Sequence, residues 1–599
     1  MPFLKRSLPD WMRARLDEGQ RFLILCIVCG VCCGFVAVAF HLSIHFIFEA
    51  LWSRAQGFGG ASAICIMIAA PAVAGLVVGL AIKFFAPSAA GSGIPQVRAA
   101  YYNEGGRIPL MAAVWRFVLG ALYIGFGNAL GREGPTAHMS SAIASSLGRW
   151  AFRDGQRSRA MVPVGMAAGF AAAFNAPLAA ITFVFEELLD NFSMRALGGI
   201  VVAVVIAAAI SRGLLGDQPI LSGHLQTDYH VSLWMLVAIP LGLLAGLLGH
   251  LVVSALLNLR GFLRNQRRWF PLWLQPAVGG LLCGLLGIGG LLWTQSVSGT
   301  GERSVFSIGY ESLDSAFENE LLWQVLAILL VLKLLAVVVT YSSGGSGGLF
   351  SPALFLGGML GGLVGTGLSW FHNQIPIPGF PGAEQVIGGC VLLGMGASFA
   401  SIIRSPFTSL IIIFEMTGNY TLILPLMAGN ILAWGFAKRL RPVGIYNSLL
   451  LQDGITLKRM PAYRGPQDYR NLPVSTIMTH EVTTLDGSAT VAENLKHLRE
   501  ARLKHTFYPI VDARGHLLGT LNHSELETAM PDLKTSGLVI DQDLTVAHPD
   551  SSIREIANRM VARDFRMVPV VSQADPGKLL GVLTLNDIAR QRFAEESDL

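Results

Sequence analysis

The sequence predicts an all-α, multi-span membrane domain built from two related halves, followed by an α/β tail made of a repeated module. Three observations carry this reading. First, 52% of the 599 residues are hydrophobic, only 14% are charged, and the mean hydropathy is +0.53. Soluble domains carry about a quarter charged residues, so most of this chain must be solvated by lipid. Second, the deficit is uneven. About 32 of the charged residues fall from Arg470 onward, where about one residue in four is charged; before that point about one in ten is. Third, Gly165-Met166…Phe170-Ala171…Pro177…Phe185-Glu186 recurs as Gly394-Met395…Phe399-Ala400…Pro406…Phe414-Glu415, every pair offset by 229 residues. Related halves of a membrane domain often face each other in opposite orientations, with the substrate between them.

Residues 1–21 are polar and amphipathic, with Lys5, Arg6, Arg13, Arg15 and Arg21 ahead of the first apolar run. That run is too long for a secretory signal, and the basic flank places the N-terminus in the cytoplasm. Lys438, Arg439 and Arg441 follow the last long run and place the tail on the same side. The clusters Arg149/Arg153/Arg157/Arg159 and Arg260/Arg264/Arg267/Arg268 read as further inside loops. The net charge of +5 belongs to the membrane part, because the tail is slightly acidic. It argues for topology and lipid headgroups, not nucleic acid.

The apolar runs are irregular. Those at 22–50, 61–86, 232–258 and 321–341 can span a bilayer. Those at 91–100, 133–148, 349–371 and 384–398 are short or interrupted by Gly and Pro and predict discontinuous helices, which survive in a membrane only where the backbone is buried or lines a polar cavity. The membrane domain is expected at 22–455, with halves near 22–215 and 228–452 and a linker at 456–471. In the tail, 472–530 and 537–595 each read as a β-rich module with a helix, with cores at Phe507-Tyr508-Pro509-Ile510-Val511 and Met567-Val568-Pro569-Val570-Val571.

Three glycine-bearing segments carry the chemistry. Gly91-Ser92-Gly93-Ile94-Pro95 lets the backbone approach a ligand and then starts a helix, whose free N–H groups and positive dipole end make an anion site. Gly131-Arg132-Glu133-Gly134-Pro135-Thr136 puts an ionisable pair in an apolar context, which is costly and usually functional. Glu133 stands where a helix would begin. Its carboxylate can occupy an anion site when charged and leave it when protonated; the plainer reading is a helix cap with Arg132 as counter-ion. In Gly344-Gly345-Ser346-Gly347-Gly348-Leu349-Phe350-Ser351-Pro352 the donors would be the N–H groups of Leu349 and Phe350. No Lys-Ser/Thr follows the glycines, which argues against a nucleotide phosphate loop.

Together these segments resemble the CLC family of chloride channels and chloride/proton antiporters, whose GSGIP, GREGP and GGxFxP patterns appear here in order, over roughly residues 20–455. Tyr446, in Pro442-Val443-Gly444-Ile445-Tyr446, falls at the position of the family's anion-coordinating tyrosine. The resemblance implies a homodimer with one anion pathway per subunit. It implies that Ser92, Tyr446, Leu349 and Phe350 hold a central chloride, with Gly91, Gly93 and Gly348 shaping the site, and that Glu133 is the gating glutamate. Gln96 departs from the glutamate that many members have, at a position that is not a ligand. In Phe185-Glu186-Glu187 the first acid reads as structural. The second corresponds to the internal proton glutamate of many antiporters, where channels typically carry an apolar residue; physically, Glu187 would be a second protonatable stop between the cytoplasm and Glu133. Glu415 occupies the repeat-related place of Glu186 and reads as a structural partner. Ser92 resembles the chloride type; nitrate-preferring relatives place proline there.

The tail resembles a pair of CBS domains. Its second copy keeps Thr584 and Asp587, which in that pattern face an adenine nucleotide (ATP, ADP or AMP). The first copy has Asn522 and Glu525 instead, so at most one nucleotide site is expected, and a purely structural, dimerising role is the competing reading.

Other polar residues take plainer readings. Arg116 and Lys333, in apolar helices, read as paired or interfacial. Cys26, Cys29 and Cys33 share a face, as do His41 and His45, but without a further ligand neither set is read as a metal site. No constellation for covalent catalysis is present, so the chain is not expected to be an enzyme or to need a cofactor. The sequence therefore predicts proton-coupled chloride exchange across a membrane, of the bacterial inner-membrane type. The alternatives are an uncoupled chloride channel of the same fold, a membrane-anchored nucleotide sensor, which would leave the three glycine segments idle, and a CBS-bearing divalent-cation transporter, which gains nothing from GSGIP.

Overall fold

The computed structural model describes residues 16–152, 155–189, 194–216, 231–266, 269–299, 301–302, 305–375, 382–418, 422–457, 472–500, 505–539, 544–575 and 577–589. Most of the expected N-terminal segment, nearly all of the linker, and Arg153, Arg267 and Arg268 of the basic clusters lie outside the described residues. The chain divides into two units, Met1–Met460 and Pro461–Leu599.

The first unit is helical. Eight described helices are long and apolar enough to cross a bilayer. They include Glu18–Phe58, Gly60–Phe84, Val231–Asn265 and Trp323–Ser342, the four runs expected to span. The first is opened by a capping box: Asp17 Oδ1 accepts from Gln20 N at 2.7 Å and Gln20 Oε1 accepts from Asp17 N at 3.2 Å. Large apolar side chains such as Phe46, Val205 and Leu236 point outward and are exposed. That pattern suits lipid, where an outward apolar face costs nothing.

Two expectations are corrected. The runs 349–371 and 384–398 are not broken by their glycines. They lie in continuous helices, Phe350–Gln374 and Ala383–Ile403, which pack against each other. The glycines are where the two backbones meet: a Cβ on Gly394 would sit 2.9 Å from Gly361 Cα, and one on Gly365 2.7 Å from Ile387 Cα. In lipid, close approach through small residues replaces the hydrophobic drive that joins helices in water.

The repeat is visible in the backbone. Gly155–Phe174 is followed by Asn175 at φ 55° and then by the helix Pro177–Val184. Ala383–Ile403 is followed by Arg404 at φ 76° and then by the helix Pro406–Thr417. Each short helix thus begins with a proline after a left-handed residue, and the two short helices pack together.

In the second unit, Leu485–Asp486 pairs in parallel with Phe507–Val511, which pairs antiparallel with Leu517–Asn522; Met567–Val571 pairs antiparallel with Leu579–Thr584. The helices Val491–Glu500, His523–Thr528 and Ile553–Arg563 accompany them. The copies match in detail, with a register shift at Ile510/Val511 in one and Val570/Val571 in the other. Tyr508, Ile510 and Leu521 lie in one small core and Val568, Val570 and Leu583 in the other. The segment that opens the first module packs on the second instead: Thr479 and Val582 exchange backbone hydrogen bonds of 2.9 and 3.0 Å, and Val474 is buried in the second core. It covers an edge strand that would otherwise be open.

Candidate functional site

The three glycine segments, far apart in sequence, are joined through their backbones. Gly91 N donates to Gly345 O at 2.9 Å and Gly347 N donates to Gly91 O at 3.3 Å. Gly131 N donates to Gly348 O at 2.9 Å and Gly348 N donates back to Gly131 O at 2.6 Å. Side chains would block this approach: a Cβ on Gly348 would lie 3.0 Å from Gly134 N. Gly93, at φ 89°, caps the helix Ile94–Asn103 in the left-handed conformation that glycine adopts without strain. The helices Ile94–Asn103, Glu133–Ala151, Phe350–Gln374 and Ile445–Gln452 all begin at buried residues: Ile94, Glu133, Phe350, Ile445 and Tyr446 are each at most 1% exposed.

Arg116 fixes the first segment. Its guanidinium is fully buried and donates to the carbonyls of Gly91, at 2.7 Å, and of Ser88. Phe350 sits among Phe170, Phe183 and Phe399, with centroids 5.1–5.3 Å away, and its ring lies 6.4 Å from that of Tyr446. Phe170 and Phe399 are repeat-related, so both halves grip the same ring.

Two hydroxyls stand out here. Ser92 Oγ and Tyr446 Oη are buried and have no hydrogen-bond partner of standard geometry. An unpaired buried hydroxyl is costly. The first N–H groups of the Phe350 helix have no intrahelical acceptor either. Donors without acceptors at converging helix N-termini make a site for an anion. Gly134 packs beside this point, where a Cβ would lie 3.1 Å from Ser92 Cβ.

Glu133 is fully buried. Its Oε1 accepts from Tyr310 Oη at 3.0 Å and from Ser351 Oγ, while Oε2 has no partner. The expected counter-ion Arg132 donates to Ala173 O at 3.2 Å. Glu187 lies in a π-helical turn, Phe185–Leu189, that ends the Pro177–Val184 helix; such turns recur at functional sites. Its carboxylate is buried in an ion pair with Arg98, the two side chains being 8% and 4% exposed. A polar cleft of about 380 Å³ is lined by Arg98, Glu187, Arg404, Lys438, Tyr446 and Asn447, so Glu187 and the Tyr446 side share one opening. Glu186 lines the same cleft while its carboxylate accepts from the first N–H groups of the helix Pro406–Thr417.

In the tail, Thr584 and Asp587 satisfy each other: Asp587 Oδ2 accepts from Thr584 N at 2.8 Å and from Thr584 Oγ1 at 2.7 Å. Asn522 and Glu525 form the equivalent cap in the first copy, with Glu525 Oε2 accepting from Asn522 N at 3.0 Å.

Sequence reasoning missed Arg98, Tyr310 and Ser351 as site residues. Arg98 is an ionisable residue in an apolar run, the signal that singled out Glu133. Ser351 lay within the third segment. Tyr310 belongs to no motif.

The family model described as voltage gated chloride channel matches residues 74–438, and the CBS domain model matches 474–532 and 538–593. The H(+)/Cl(-) exchange transporter ClcA of Cronobacter sakazakii is 30% identical over 471 residues, covering 75% of this chain and 93% of that one. The ClcA of Klebsiella pneumoniae is 28% identical, covering 72% and 88%. Among solved structures, a slow cyanobacterial Cl-/H+ antiporter is 25% identical at a TM-score of 0.64, covering 73% of this chain and 98% of that one. A eukaryotic CLC transporter, 19% identical at 0.60, covers 95% and 98% and shares the fold. With its converging glycine segments and its paired tail modules, the chain is an integral membrane protein that belongs to the voltage-gated chloride channel family and carries two CBS domains.

Proposed function

We propose that the protein exchanges chloride for protons across a membrane. The observation that carries this reading is the pair of buried hydroxyls of Ser92 and Tyr446, neither with a hydrogen-bond partner of standard geometry, beside the N-terminus of the Phe350 helix. Chloride accepts hydrogen bonds from all sides and needs donors only, which is what this arrangement offers. The relatives named as H(+)/Cl(-) exchange transporters support the same cargo.

In this reading Glu133 is the gate. Its carboxylate competes with chloride when ionised and withdraws when protonated from outside. Glu187 passes protons to and from the cytoplasm through the polar cleft it shares with Tyr446. Arg98 is its buried ion-pair partner. The N-terminus and CBS pair are cytoplasmic, the membrane is a bacterial inner membrane, and the unit is a homodimer. A regulatory adenine nucleotide at Thr584 and Asp587 is a separate proposal, and those residues would have to open their mutual cap to serve it. A rise in melting temperature with ATP, ADP or AMP that Asp587→Ala removes supports it; no rise refutes it.

The deciding experiment is the reversal potential in reconstituted liposomes under crossed chloride and pH gradients. Antiport moves the reversal potential with the pH gradient. A reversal potential blind to pH selects the uncoupled channel. Glu133→Ala should abolish proton movement driven by a chloride gradient; persistent pumping overturns the role of Glu133.

A further inference from the structure

We infer that Tyr310 and Ser351 form a hydroxyl latch that holds the ionised carboxylate of Glu133, and that Tyr310 partitions this carboxylate from a cavity beside it. The inference rests on Glu133 being the gate. Tyr310 Oη donates to Glu133 Oε1 at 3.0 Å, and Ser351 Oγ donates to the same oxygen. The two hydroxyl oxygens are 3.0 Å apart. With both protons aimed at Oε1, neither hydroxyl has one left for the other.

That arrangement senses charge. An ionised carboxylate accepts both O–H groups, and hydrogen bonds to the charged form favour it. A protonated carboxyl brings a third proton into a space arranged for two, so one partner must turn away and the latch loosens. Among the described residues, Arg132, on the same turn, and Tyr446, across the proposed anion site, are further ionisable groups near Glu133.

Tyr310 is fixed from behind. It opens the helix Tyr310–Phe317 after Gly309. The loop before it is held by the buried ammonium of Lys333, which donates to the carbonyls of Val305, Phe306 and Ser307 at 3.3, 3.4 and 2.8 Å. Ser307 N also donates to Gly127 O at 3.0 Å. The other side of Tyr310 lines a cavity of about 140 Å³, together with His41, His45, Glu49 and Glu311. These are the titratable groups that face the latch from beyond the tyrosine.

The test is the pH profile of chloride flux from liposomes containing the full-length protein. Tyr310→Phe and Ser351→Ala each remove one hydroxyl with little change of shape. Each should raise the pH of half-maximal flux by about one unit, since one charge-assisted hydrogen bond is lost. In a Glu133→Gln background neither change should shift the profile. Single variants with the wild-type profile overturn the latch, as does an equal shift in the Glu133→Gln background. Glu133→Gln retaining the wild-type pH dependence and proton coupling would instead overturn the gate itself.

Discussion

Glu186 and Glu415 cap each other's helices across the repeat. Glu186 accepts from Phe407 N at 3.0 Å and Thr408 N at 2.8 Å, at the start of the helix that contains Glu415. Glu415 accepts from Leu178 N at 2.9 Å and Ala179 N at 2.8 Å, at the start of the helix that leads into Glu186. Donors and acceptors are all related by the same offset of 229 residues, so the exchange is what a two-fold relation between the halves produces. Each carboxylate neutralises a positive helix end and satisfies two orphan N–H groups.

This reciprocity makes a stability prediction. Glu415→Ala leaves the N–H groups of Leu178 and Ala179 without acceptors and should cost about 1–3 kcal/mol. Glu415→Gln, which keeps a single acceptor oxygen, should cost less. The check is the melting temperature of the detergent-solubilised protein. Equal melting of wild type and Glu415→Ala would make the caps ornamental.

The Arg98–Glu187 pair predicts an asymmetry between single and double variants. Arg98→Met removes the ion-pair partner of a buried carboxylate, a change of about 3–5 kcal/mol. Glu187→Val removes the acid, gives chloride flux without proton coupling, and strands the guanidinium. Making both changes should recover part of the lost stability, because no buried charge then stands alone. Thermal melts of the four proteins form the cycle, and proton flux under a chloride gradient reads the coupling. Independent, additive losses would mean that the pair does not act as one unit.

Ser92→Ala and Tyr446→Phe each delete one buried hydroxyl from the proposed anion site. If both donate to chloride, each should weaken its binding by about 1–2 kcal/mol, a 5- to 30-fold rise in Kd. Calorimetric titration of the purified protein with chloride measures this directly. Deleting an unused hydroxyl would leave affinity unchanged and slightly raise stability, which is the opposite signature.

Sequence made the backbone of the converging glycine segments legible because glycine needs are local. Gly93 sits at φ 89°, a conformation glycine reaches without strain, and Pro95 suits the first turn of a helix whatever it packs on. The partners of Glu133 and Glu187 were not legible for the opposite reason. Tyr310 is 177 residues from Glu133 and Ser351 is 218; Arg98 is 89 from Glu187. No local pattern encodes which distant side chain will face a buried carboxylate. The same holds for the buried cations. Arg116 and Lys333 read as paired or interfacial, and the groups they donate to include loop carbonyls, at Gly91 and at Val305–Ser307, which no local pattern announces. The glycines of 349–371 misled in the other direction. Composition cannot distinguish a glycine that breaks a helix from one that lets two helices touch.

That last distinction can be tested at Gly394. Its helix, Ala383–Ile403, meets Phe350–Gln374 here, with Gly361 N 3.0 Å and Gly361 Cα 2.9 Å from where a Cβ would stand. In an exposed helix Gly→Ala stabilises by up to about 1 kcal/mol through helix propensity. At this position the methyl must push against backbone rather than a flexible side chain, and overpacking of that kind costs about 1–3 kcal/mol. The sign therefore discriminates between the two readings. A glycine that merely interrupts a helix would give a more stable Gly394→Ala protein. A glycine at a helix contact should give a lower melting temperature, and because Phe350–Gln374 begins at the proposed anion site, weaker chloride binding as well. Gly435, on the helix Ile423–Leu440 with open space around it, is the control: Gly435→Ala should be neutral or stabilising in the same melt.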